Sequence, residues 1–168
     1  MIHGTYYYAE TWEEKLGLIN EIMENMKSED LGAPGISAGE SACLMFADRR
    51  HTADTFDWWP DNYLRVSVNA ATGYGGLTWF VSAERADERK DEISQSVWVS
   101  DNPTPPDFDP RVVSDPGFPL FYDAQSTLPA TQVRAALEEF CRAETGERPA
   151  CINWVPGEMN GSRLTDDE

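Results

Sequence analysis

Four strand-like segments follow one another between residues 41 and 99 with no helical period among them, and one amphipathic helix stands on either side. Parallel neighbours need a crossover of a dozen or more residues, usually a helix, whereas strands in direct succession pair antiparallel. The expected class is therefore α+β: a single domain over 1–168 with a mainly antiparallel sheet and two amphipathic helices. The expected order is β-α-β-β-β-β-α-β, ending in a disordered acidic tail over 159–168.

Thr11 and Glu14 make a capping box, and Trp12, Leu16, Ile19, Met23 and Met26 recur three or four apart. Residues 11–27 thus read as a helix, with Glu13, Glu14, Glu21 and Glu24 on its outer surface. The second helix starts at Pro129. Val133, Ala136, Leu137, Phe140 and Cys141 form its apolar face, Arg134, Glu138 and Arg142 are spaced to pair, and Gly146 supplies the C-cap. Strands are expected at 2–8, 41–47, 63–70, 77–81, 96–99 and 151–155, the third and fourth forming a hairpin across Gly73-Tyr74-Gly75-Gly76. Residues 28–39 read as a loop and 85–92 as a charged loop or turn. The proline-rich stretch 101–119 reads as an ordered loop without regular structure, and loops that long are uncommon unless they work.

Charge narrows the function classes. Thirty Asp and Glu against thirteen Lys and Arg leave a net charge of −17. Phosphate backbones need a basic surface, so a reader of DNA or RNA is disfavoured, and anionic membranes with it. A basic protein partner or a cationic ligand is favoured. With 40% hydrophobic residues, including seven Phe, six Tyr and six Trp, the chain is too apolar for a disordered acidic tail. The start MIHGTYYYAE has no basic leader, and no stretch approaches the roughly 18 apolar residues of a membrane span, so a cytoplasmic location is expected. Cys43, Cys141 and Cys151 are odd in number and widely spaced, and read as buried small apolar residues.

The search for reaction chemistry returns little. His3 and His51 stand at no metal-ligand spacing from each other or from a cysteine. Gly73-Tyr74-Gly75-Gly76 lacks the Lys-Ser/Thr of a phosphate loop and leads into a strand, so it reads as a turn with positive φ. No catalytic residue, metal or cofactor is expected. The candidates are interface residues instead: Trp58 and Trp59, flanked by Asp57 and Asp61; Tyr74 at the hairpin tip; and Glu158, the one acid in a distinctive apolar-aromatic setting, just after Trp154-Val155-Pro156-Gly157. Trp79 and Trp98 read as core or as one face of the sheet.

Leu77-Thr78-Trp79-Phe80, Leu128-Pro129, Val133 to Phe140, Thr145-Gly146-Glu147-Arg148-Pro149 and Trp154 together carry a resemblance covering roughly residues 63–158. The chain resembles the first-numbered family of immunity proteins from bacterial polymorphic toxin systems, whose genes usually adjoin toxins with a nucleic-acid deaminase domain. The resemblance implies an α+β fold and a non-catalytic binding role. The partner it implies is a cognate toxin, with nucleic acid and membrane excluded as partners. A deaminase site is built for unstacked bases and has a basic rim, which an acidic inhibitor would complement. The competing expectations are a small-molecule-binding or hydrolytic domain, or an acidic nucleic-acid mimic.

Overall fold

The computed structural model describes residues 1–2, 6–25, 41–50, 58–115 and 120–164, with only the backbone of Asn25. The elements are α1 (Trp12–Asn25), β1 (Ala42–Leu44), β2 (Asn62–Asn69), β3 (Tyr74–Val81), α2 (Ala83–Arg89), β4 (Val97–Asp101), β5 (Val113–Asp115), β6 (Leu120–Phe121), β7 (Thr127–Pro129), α3 (Ala130–Ala143) and β8 (Asn153–Gly157). A short 3-10 turn, Ala124–Ser126, precedes β7. The main sheet runs β1-β2-β3-β4-β8 with β7 also paired to β3, and every pairing is antiparallel. The α+β class and the antiparallel sheet are as expected.

One face of the sheet carries Leu64, Val66, Val68, Leu77 and Trp79, all fully buried beneath α1 and α3. The face read for α3 is the one it buries: Val133, Ala136, Leu137, Phe140 and Cys141. Its charged side pairs as spaced, Arg134 to Glu138 at 3.4 Å and Arg142 to Glu138 at 3.6 Å. α1 is rotated from the expected stripe. Ile19, Ile22 and Lys15 are buried, the Lys15 ammonium 5.8 Å from the Phe46 ring centroid, while Leu16 stays half-exposed. The ammonium of Lys15 reaches the Glu144 carboxylate, so a long amphipathic side chain fills a position that periodicity gave to Leu16. The capping box forms, with Glu14 N–H donating to Thr11 Oγ1 at 3.3 Å and Thr11 N–H to Glu14 Oε2 at 2.9 Å.

The crossing segment after β4 covers part of the other sheet face, where Val99, Val112 and Tyr122 form a second small core. Tyr122 is fully enclosed, its hydroxyl 2.7 Å from Thr78 Oγ1. The segment read as irregular, 101–119, therefore contains β5, which pairs antiparallel around a bulge with β6 just beyond its end. Asn69 and Thr72 pin it by donating to the Pro110 carbonyl, each at 3.0 Å.

Other expectations are corrected. Residues 6–10 form no strand; Ile2 makes only an isolated bridge, and Met1 exchanges backbone hydrogen bonds with Cys43. α2 replaces the charged loop. It buries no residue and so has no apolar period to read, but Ser82 caps it by accepting from Arg85 N–H at 3.2 Å. In Gly73-Tyr74-Gly75-Gly76 only Gly73 belongs to the turn, at φ 75°; the other three are strand residues. Gly76 lies under Tyr122, where a Cβ would stand 2.5 Å from the ring. Glu144, at φ 54°, ends α3 in place of Gly146. Gly146, at φ 71°, instead fits beside the Asn62 side chain. Residues 158–164 fold back on β8 through a Gly157–Arg163 bridge and the Leu164 N–H to Pro156 carbonyl bond.

Candidate functional site

Trp58, Trp59 and Asp61 precede or touch the start of β2, and Asp57 lies outside the described residues. Pro60, just after the two tryptophans, is buried, while the two rings face different surroundings. Trp59 is 59% exposed. Trp58 is half-buried, has the Arg49 guanidinium 4.7 Å from its ring centroid, and lines a cleft of about 410 Å³ with Tyr6, Tyr8, Leu18, Ile22 and Phe46. Asn62 sets one wall of that cleft by bonding both the N–H and the carbonyl of Phe46 at 2.9 Å. Asp61 is exposed but engaged, accepting from Asn62 Nδ2 at 2.8 Å and Arg85 Nη1 at 3.0 Å. Partial burial works against its charge, but those two donors hold its carboxyl below the usual value.

Tyr74 stands opposite Asn69, at the far end of β2 from Asn62, roughly 23 Å along an eight-residue strand. Glu158 is exposed in the turn after β8, where its N–H and carbonyl bond Ser162 and Gly161 at 2.9 Å. The named residues are thus spread over both ends of the sheet. Tyr74 acquires a neighbour that sequence reading did not single out: Phe108, 48% exposed, meets it edge-on at 5.7 Å. Phe108 and Phe121 floor an open groove of about 480 Å³ whose other lining includes Asp107, Asp109 and Asp123. None of these three carboxylates pairs with a Lys or Arg among the described residues; Asp109 and Asp123 accept only from the backbone N–H of Arg111 and Gln125, at 2.9 and 2.8 Å. The protein's own Arg111 guanidinium lies 4.4 Å from the Phe121 ring, so a cation already fits this surface. The only sequence signal for the groove was the length of the proline-rich stretch.

A third cluster surrounds the Thr145–Pro149 turn. Trp79 Nε1 donates to the Gly146 carbonyl at 3.0 Å and Trp154 Nε1 to the Pro149 carbonyl at 2.7 Å. Glu147 takes Arg85 at 2.7 Å and also pairs with Arg89, tying the turn to α2. Arg148 lies against the rings of Trp98 and Trp154, at 4.1 and 5.9 Å. The motif was visible as residues, but not that its arginine sits between two indoles.

No thiol is primed for nucleophilic work. Burial pushes the Cys141 thiol up to about 11, and burial also raises Cys43. Cys151 is exposed, a correction to the expected buried apolar role. Its thiol is pushed up to about 12 by local desolvation and by the Glu139 carboxylate, which accepts the N–H groups of Ala150 and Cys151 at 2.7 and 2.9 Å. His3 and His51 lie outside the described residues, and among the described residues no group of three or more His, Cys, Asp or Glu side chains is placed to hold a metal ion. No described helix is long and apolar enough to cross a membrane.

The family model for immunity protein Imm1 matches residues 36–156. No curated protein and no solved structure matches the chain. The matched span contains the β2–β3 hairpin, the acid-lined groove, α3 and the 145–149 turn with its two indoles. This chain belongs to the Imm1 family of immunity proteins.

Proposed function

We propose that the protein is a non-catalytic inhibitor that binds a cognate toxin carrying a nucleic-acid deaminase domain and blocks the toxin's substrate site by steric and electrostatic occlusion. The family match over residues 36–156 carries this reading. The net charge of −17 supports it, because a site for single-stranded or flipped bases needs a basic rim and complementary charge speeds capture. So does the placement of Trp59 and Phe108, large rings left open to solvent, the latter among carboxylates. Aromatic anchors of this kind dominate binding energy at protein interfaces. The proposed contact set is Trp58, Trp59, Tyr74 and Phe108, with Asp57, Asp61, Asp107, Asp109 and Glu158 contributing charge.

The test is co-expression with the toxin domain encoded beside it. A complex that co-purifies and cells that survive toxin induction are the expected results; free toxin and dead cells at matched expression would overturn the reading. The cleft beside Trp58, at about 410 Å³, favours a second reading as a small-molecule-binding domain, since it has the size of ordinary ligand sites. A small molecule retained in stoichiometric amount by the purified protein, with no protection against the toxin, would select that reading.

A further inference from the structure

Thirty acidic side chains serve thirteen Lys and Arg in this chain, yet the Arg148 guanidinium makes no hydrogen bond and no ion pair among the described residues. Its Nη1 is shut off from solvent with no acceptor, while the residue as a whole is only partly buried. Burial pulls the pKa of the group below its ordinary value. A buried donor without a partner is costly, and an Arg presents its N–H groups in a planar fork that matches a carboxylate. The fork is also held in place. It stacks at 4.1 Å on Trp98, whose own Nε1 is fixed by the Ile93 carbonyl at 2.8 Å, and lies 5.9 Å from Trp154, fixed by the Pro149 carbonyl at 2.7 Å. The Trp98 and Trp154 rings, like Arg148, are only partly buried, and Ile93 and Pro156 beside them are exposed. The two carboxylates of the same turn region are engaged elsewhere: Glu147 takes Arg85 and Arg89, and Glu139 takes the N–H groups of Ala150 and Cys151.

We infer that Trp98, Arg148 and Trp154 form a preorganised receptor for one Asp or Glu side chain of the toxin, which docks on the solvent-facing edge of the Arg148 fork beside the two indoles. The inference rests on the toxin-binding reading and adds a contact of opposite sign to it. The acidic surface attracts any basic protein, whereas a single inverted pair fixes the orientation and rejects basic proteins that offer no carboxylate there. Trp and Arg are also the residue types in which interface energy concentrates.

The experiment measures affinity for the purified toxin domain encoded by the adjoining gene, with melting temperature recorded for every variant. Arg148→Met keeps a flexible stem against the indoles and removes the desolvated charge; it should melt at the parent's temperature or higher yet bind on the order of tenfold more weakly or worse. Arg148→Lys keeps a cation and loses the fork, and should also bind more weakly. Changing the toxin's Asp and Glu residues singly to Asn and Gln should reveal one whose effect vanishes in the Arg148→Met background. Parent binding with Arg148→Met within twofold overturns the receptor and leaves the toxin reading standing. Arg148→Lys binding as the parent does overturns recognition by the fork, as does the absence of any coupled toxin carboxylate. A parent that fails to bind overturns both readings. If Arg148→Met does not fold, Arg148→Lys and the toxin series carry the test.

Discussion

At the level of single residues, the large rings differ in how much of them the fold encloses. Trp79 is buried and bonded to Gly146, whereas Trp59 and Phe108 project their rings outward. Alanine at Trp59 should weaken toxin binding by ~2–4 kcal/mol if the ring is an anchor, and alanine at Phe108 should do the same while also costing some stability, because its ring packs edge-on against Tyr74. Alanine at Trp58 or Tyr74 should cost both stability and affinity, because each ring also packs internally. Variants of Trp59 and Phe108 that bind within twofold of the parent would place the anchors elsewhere. Cys151 gives a chemical prediction. Although exposed, its thiol is held at about 12, so a disulfide reagent at pH 8 should label it far more slowly than free cysteine. Glu139→Gln should accelerate the labelling, and equal rates would contradict the assigned cause. Tyr122 gives a pH dependence. Burial raises its pKa from 10.0 to about 12 against the bond to Thr78, so the folded state holds the proton more tightly than the unfolded state. The stability it contributes is intact below pH 10 and is lost as the pH rises towards 12. Chemical denaturation should show a shallower alkaline loss in Tyr122→Phe than in the parent.

At the scale of elements, legibility followed burial. α3 could be read because its buried face repeats with a clean period, and the β2–β3 hairpin because two runs of strand-favouring residues flank a Gly-rich stretch; the structure buries that face and most of the hairpin. α2 could not, because it lies on the surface, buries nothing and is held by Arg85 reaching Asp61, Glu147 and the Thr145 carbonyl. β5, β6 and β7 have two or three residues each, too short for any alternation to show. Their positions are set by distant partners such as Tyr122 with Thr78. The strand read over 2–8 is not formed at 6–8 for the opposite reason: β-favouring residues pair with no strand among the described residues, and Tyr6 and Tyr8 line the cleft instead. Of the site, the aromatic and acidic side chains were legible as types. Their grouping was not, since the groove joins residues near 108 and 121 and the arginine cluster joins 98, 148 and 154. One local signal does carry energy. Thr11→Ala removes the acceptor for Glu14 N–H and should cost ~1 kcal/mol in equilibrium unfolding. A change below a few tenths would mean that tertiary packing alone holds the start of α1.

At the scale of the whole molecule, the net charge of −17 and the exposed rings divide the labour of binding. Charge acts over a Debye length of ~10 Å at 0.1 M salt, so it governs approach, while ring burial and hydrogen bonding govern residence. The association rate should therefore fall steeply between low and high salt and the dissociation rate change much less. A flat association rate would assign the charge to solubility alone. On the proposed reading, occlusion of a deaminase toxin's substrate site is measured by titrating the purified protein into that toxin domain at fixed concentration while following deamination of single-stranded DNA or RNA. The account predicts that activity falls linearly to near zero at one equivalent, and that raising the substrate concentration slows the onset of inhibition. Toxin activity that stays undiminished with the protein in large excess would contradict it.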